Sequence, residues 1–143
     1  MLVSQILSEK GRAVVSIPAR ATLTEATKVL TSHRIGAVLI LDSHGAPVGI
    51  LSERDVVRAI SHEGEAALKR TVASRMTSQV ASCGEEDSVE DVIERMTQGR
   101  FRHMPVLKDG RVVGMISIGD VVKTRIAETI LEAQALKEYI STG

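Results

Sequence analysis

A chain of 143 residues, 43% hydrophobic and 25% charged, has the size and apolar content of one ordinary folded domain, which excludes a disordered tail. Eighteen Lys and Arg balance eighteen Asp and Glu, so the net charge carries no electrostatic footprint for DNA, RNA or an anionic membrane. Phe101 and Tyr139 are the only aromatic residues, so a bound base has to rest on aliphatic side chains, and the core has to be built from Val, Ile, Leu, Ala and Met.

In chain order, Leu2, Val3, Ile6 and Leu7 make a short amphipathic segment, interrupted by Ser4 and Gln5 where a signal peptide needs a continuous apolar run. Val14 to Ile17 reads as a short extended stretch. Thr22 caps a helix, with Glu25 three residues on and Leu23, Ala26, Val29 and Leu30 along one face. Ala37 to Leu41 is a short apolar strand, far too short to cross a bilayer; the turn Asp42-Ser43-His44-Gly45 ends it, and Pro47 to Leu51 returns as a second strand. Ser52 opens a second helix with Val56, Val57 and Ile60. The order then recurs: an extended stretch at Gln79 to Ser82, a turn holding Cys83 and Gly84, a helix capped by Ser88 with Asp91, a hairpin of Met104 to Leu107 and Val112 to Ile116 around Lys108-Asp109-Gly110, and a helix opened by Ser117. That last helix, Asp120 to Ile140, outruns its counterpart.

The recurrence is an internal repeat. Gly45 to Arg58 lies over Gly110 to Lys123 at a constant offset of 65, with Gly45/Gly110, Val48/Val113, Gly49/Gly114, Ser52/Ser117, Asp55/Asp120, Val56/Val121 and Val57/Val122 identical. Upstream the offset becomes 66, because the first hairpin turn is one residue longer. A unit of roughly sixty residues is short of core on its own, so two copies are expected to pair through their sheets. The expected class is therefore α/β (α+β): two pseudo-symmetric helix-strand-strand-helix repeats, each with a short extra N-terminal strand. Residues 8–66 form the first repeat and 74–130 the second, with 1–7 and 131–143 as flanking helical segments. Val122, Ile126, Ile130, Leu131, Leu136 and Ile140, together with the N-terminal apolar segment, form either a homodimer surface or a stripe that packs on its own module.

In both copies a strand delivers Gly-x-x-Ser-x-x-Asp to the start of a helix, as Gly49, Ser52, Asp55 and as Gly114, Ser117, Asp120. One meaning is a capping box. The other is a ligand site, in which the helix N-terminus and the Ser hydroxyl meet a phosphate and the Asp accepts from ribose hydroxyls. The doubled pattern, with Arg34 to Leu41, Gly49 to Asp55, Arg100 to Leu107 and Gly114 to Asp120, resembles a tandem cystathionine-β-synthase-type (CBS) domain pair, or Bateman module. The resemblance covers nearly the whole chain and is greatest to small stand-alone bacterial members.

The resemblance implies a regulatory sensor that binds AMP, ADP, ATP, NAD or S-adenosylmethionine between its repeats and dimerises. It implies that Asp120 and Ser117 hold ribose and phosphate in one cleft and Asp55 and Ser52 in the other, with Met115 and Ile50 as aliphatic walls for adenine. The loop that often supplies phosphate-binding cations holds Arg102 and His103, followed by Met104 and Pro105, where the first copy has Gly36 and Ala37, then Val38 and Leu39. The Asp120 cleft, backed by Arg102 and His103 and closed by Ile35, Gly36 and Ala37, is expected to hold a phosphorylated nucleotide better. The Asp55 cleft has Arg54 where the other has Gly119, either a phosphate clamp or an exposed helix-start residue.

His33, His44 and His62 show no metal spacing, so no metal is expected. Lys10-Gly11-Arg12 and Lys69-Arg70 are short basic spots, either solvated or touching phosphate. The lone Cys83 excludes an internal disulfide and fits a reducing compartment, with the cytoplasm as the expected location. No glycine-rich phosphate loop and no nucleophile beside a base is present, so the expectation is a non-enzymatic module that binds adenine nucleotide and acts on an unknown regulated protein, without nucleic acid or membrane. The alternative is a ligand-free dimerisation scaffold in which both Ser-x-x-Asp motifs are caps only.

Overall fold

Local chemistry sets the element boundaries in the structure, a computed structural model that describes residues 1–142. The helices are α1 (Val3–Lys10), α2 (Leu23–His33), α3 (Glu53–Glu63), α4 (Val89–Gly99) and α5 (Ile118–Thr142). The strands are β1 (Ala37–Leu41), β2 (Pro47–Ser52), β3 (Cys83–Gly84), β4 (His103–Lys108) and β5 (Arg111–Ser117). The Thr22 hydroxyl accepts from the Glu25 N–H at 3.2 Å and the Ser88 hydroxyl from Asp91 at 3.1 Å, which starts α2 and α4 alike. Both helices stop at an arginine in the left-handed region, Arg34 (φ 54°) and Arg100 (φ 56°), so the repeat extends to the backbone conformation of its caps.

β1 and β2 pair antiparallel, as do β4 and β5, and both hairpins carry a register shift at the same place, Ile40/Leu41 and Val106/Leu107. Asp109 and Gly110, both at positive φ, make the tight two-residue turn of the second hairpin. In the first hairpin the extra residue is absorbed by Asp42, whose Oδ1 accepts from the His44 and Ala46 N–H groups. The short N-terminal strand is β3, parallel to β4, in the second repeat; in the first it shrinks to one parallel bridge between Ser16 and Leu39. The second extended stretch therefore lies later than the expected Gln79 to Ser82. Cys83, expected in a turn, is a strand residue whose buried side chain faces the second core, and burial pushes its thiol up to about 12.

Each repeat has its own core. The first joins Leu23, Ala26 and Leu30 of α2 to Val38, Ile40, Leu51 and Val56. The second joins Val89, Val92 and Met96 of α4 to Met104, Val106, Ile116 and Val121. Each is completed by the segment that precedes the other repeat. Ala67 and Val72, from the 3-10 turns at Gly64–Lys69 and Val72–Ser74, close the first core. Val3, Ile6 and Leu7 of α1 close the second. Backbone bridges seal both joins, Thr22 to Thr71 and Leu2 to Ser88. The glycines of the two Gly-x-x-Ser-x-x-Asp motifs make room for these segments: a Cβ at Gly114 would meet Leu7 Cδ2 at 2.7 Å, and one at Gly49 would collide with Met76 Sδ.

The N-terminal apolar segment is thus spent inside the chain and is not the outward face that its pattern allowed, since Leu7 is 1% exposed. The C-terminal stripe is uncovered: every residue from Thr129 to Thr142 is exposed. The two hairpins meet at one end through Val112 N–H donating to Gly45 O at 3.0 Å, and at the other where Gly36 faces the His103 ring.

Candidate functional site

Ser52 and Ser117 end β2 and β5, and both motifs are complete capping boxes. Asp55 Oδ2 accepts from the Ser52 N–H at 2.8 Å while the Ser52 hydroxyl accepts from the Asp55 N–H at 3.3 Å; Asp120 and Ser117 repeat both distances. Each box engages Oδ2 alone, so capping does not use the second carboxylate oxygen.

On the Asp120 side the repeats enclose a cavity of about 320 Å³. One wall is Arg34, Ile35, Gly36 and Ala37, where α2 gives way to β1, with Ala13 and Val15 from the preceding extended stretch. The other is His103, Met115 and Ser117 of the second sheet, with Lys10 from the end of α1. The lining combines the polar Lys10, Arg34, His103 and Ser117 with aliphatic residues, the composition of a small-molecule site. Gly36 keeps the slot open, because a Cβ there would stand 3.2 Å from the His103 ring.

Lys10 organises the charges. Its Nζ donates to Asp120 Oδ2 at 2.6 Å and to the Met115 carbonyl at 2.7 Å. Burial pushes the Asp120 carboxyl up, but Lys10 and the Ser117 N–H outweigh it and hold the group below the usual carboxylate value. Burial and then the nearby Lys10 charge push His103 below the ordinary imidazole value, against the opposite pulls of Glu53 and Asp120. The slot therefore offers an ammonium, the Arg34 guanidinium and an imidazole biased toward its neutral form, with the Asp120 carboxylate joined to it through Lys10.

Of the residues singled out by sequence, Ile35, Gly36, Ala37, His103, Met115 and Ser117 come together in this cavity, with Asp120 joined to it through Lys10. Ser52, Asp55, Arg54 and Ile50 do not line this cavity, and Arg54 is an exposed helix-start residue. Arg102 does not line it either. It is the repeat equivalent of Gly36: the Arg102 carbonyl accepts from Ile118 N–H at 2.8 Å as the Gly36 carbonyl accepts from Glu53 N–H at 3.0 Å. The pseudo-two-fold that carries Gly36 to Arg102 carries the Asp120 side of the pair to the Asp55 side. Met104 and Pro105 are buried, Met104 fully so in the second core, and neither lines the cavity.

The sequence leaves Lys10 between a solvated spot and a phosphate contact and does not assign Ala13, Val15 or Arg34 to the slot. Ala13 and Val15 share one face of the extended stretch, a period of two that was available as a signal. Lys10 gave none, because its partner is 110 residues away. Among the described residues no cluster of three His, Cys, Asp or Glu side chains is placed to hold a metal ion, and no helix is long and apolar enough to cross a membrane.

Two α+β repeats related by a pseudo-two-fold, with a slot between them and a Ser-x-x-Asp box at its edge, define a paired regulatory-type module. The CBS domain family matches residues 3–62 and 70–126, and the chain belongs to that family. It is similar to the CBS-domain containing protein ATU1752 from Agrobacterium tumefaciens, with 43% identity and a TM-score of 0.85 over 87% of this chain and 99% of that one. The CBS domain protein PAE2072 from Pyrobaculum aerophilum, in complex with AMP, is 29% identical, with a TM-score of 0.75 over 84% of this chain and 89% of that one. The CBS domain pair of MJ0100, in complex with 5′-methylthioadenosine and S-adenosyl-L-methionine, is 27% identical, with a TM-score of 0.80 over 90% and 98%. Neighbours of this fold thus bind adenosine ligands both with and without a phosphate.

Proposed function

We propose that the chain is a non-catalytic regulatory module that binds a phosphorylated adenosine nucleotide in the Asp120 cleft and passes its occupancy to a partner protein. Its halves are residues 8–66 and 74–130. The observation that carries the proposal is the Lys10–Asp120 ion pair at the edge of a slot between the repeats whose lining holds both Lys10 and Arg34. Asp120 suits ribose hydroxyls, the helix start at Ser117 and the two cations suit a phosphate, and Met115, Ile35 and Val15 give an adenine ring its apolar walls. Two cations in the lining favour AMP, ATP or NAD over the positively charged sulfonium of S-adenosylmethionine. The exposed Val57, Ile60, Val122 and Ile126 on α3 and α5 suit a homodimer, through which occupancy of a cleft reaches a second chain.

Titration calorimetry of the nucleotide-stripped protein with AMP, ATP, NAD and S-adenosylmethionine tests this. The expected result is binding of AMP or a longer nucleotide with dissociation constants on the order of micromolar, and weaker binding of S-adenosylmethionine. The complete hydrogen bonding of both capping boxes favours the second possibility, a ligand-free scaffold, and silence toward all four ligands would establish it.

A further inference from the structure

The two repeats place different donors on the same carbonyl. In the first, Ile50 O accepts from the Thr77 N–H at 2.9 Å, and Thr77 O accepts in return from Ile50 N–H at 3.0 Å, a backbone pair fixed in place. In the second, the equivalent Met115 O accepts from Lys10 Nζ, which also holds Asp120. A backbone N–H cannot leave its position, whereas an ammonium on a four-carbon stem can swing between partners.

The side chain of Lys10 is 37% exposed and that of Asp120 24%, so the pair opens toward water and can separate without stranding a buried charge. Asp120 keeps its Ser117 N–H when Lys10 leaves, so the start of α5 stays capped. A ribose hydroxyl that donates to Asp120 Oδ2 competes with the ammonium for that oxygen. The displaced ammonium then needs an anion. A 5′-phosphate supplies one, whereas a nucleoside without phosphate leaves the ammonium with the neutral Met115 carbonyl and solvent.

Building on the nucleotide assignment, we infer that Lys10 is the specificity-determining residue of the cleft: it closes the slot against uncharged adenosine compounds and is released onto the phosphate of charged ones. The end of α1, which belongs to neither Ser-x-x-Asp motif, thereby selects the ligand class.

The test measures the affinities of AMP and of adenosine for the wild-type chain, Lys10→Met and Lys10→Arg, with a thermal melt of each. Wild type is expected to prefer AMP by about ten-fold or more, and Lys10→Arg to keep that preference. In Lys10→Met adenosine binds more tightly, AMP more weakly, and the preference shrinks by about ten-fold. Should Lys10→Met melt well below wild type, Lys10→Gln, which keeps a donor for the Met115 carbonyl, reads the same ratio. An AMP preference unchanged in a folded neutral variant overturns the role of Lys10 and leaves the nucleotide assignment standing. Failure of wild type to bind either compound overturns both.

Discussion

The Ser52–Asp55 and Ser117–Asp120 boxes share both of their backbone hydrogen bonds at the same distances, yet the clefts beside them are built differently. On the Asp120 side Gly36 leaves a slot open and Lys10 loads it with charge; the equivalents on the Asp55 side are Arg102, a long cation in place of a glycine, and the fixed Thr77 backbone pair. A doubled motif therefore fixes two helix starts, while the character of each cleft depends on residues outside the motif that the two-fold brings opposite it.

The largest effect that sharpens this comparison lies in the segments that close the cores. Leu7→Ala removes a side chain 1% exposed and is expected to cost about 3 kcal/mol in denaturant unfolding. Met76→Ala, at the matching place against Gly49 but only half-buried, is expected to cost about half as much; equal losses would mean that the crossings are energetically alike. Next comes binding. Asp120→Ala is expected to weaken AMP about ten-fold or more and Asp55→Ala less than about two-fold, both read by titration. The reverse order would move the principal site to the other cleft.

The smallest effect is a pH dependence. His103 has a folded pKa below its ordinary 6.5, so between that lowered value and 6.5 the unfolded chain binds more protons than the folded one. Stability therefore falls as the pH drops through 6.5 and levels off below the folded value. Between pH 8 and pH 5.5 the melting temperature is expected to fall by about 1–3 °C through this group, and His103→Gln to flatten that part of the profile. The equivalent residue in the first repeat, Ala37, has nothing to titrate.

What the sequence made legible was local. The offset between copies, the caps at Thr22 and Ser88, both hairpins and both Ser-x-x-Asp boxes rest on contacts a few residues apart, and all are present. What it hid was set by the two-fold. Arg102 and His103 are neighbours in the chain, yet Arg102 lies in the bend before β4 and only His103, the first residue of the strand, lines the slot. The apolar pattern of α1 announced a buried face without saying what buries it, since its partners are strands and helices more than seventy residues on. The strand at Cys83 is two residues long, too short for any periodicity to place it.

The crossed closing of the two cores also sets an order of assembly during synthesis. Everything the first core needs lies between Val15 and Met76, so it can condense while the rest of the chain is still being made. The second core draws on Val3, Ile6 and Leu7 as well as on residues up to Val121. Helix α1, synthesised ahead of both repeats, is therefore among the last to dock, and its contacts, including the one that brings Lys10 to Asp120, span the longest stretches of chain and close slowest. Until then three apolar side chains of α1 stand exposed, so a nascent second repeat is the stage at which this protein is most open to aggregation and to exchange of α1 with another copy.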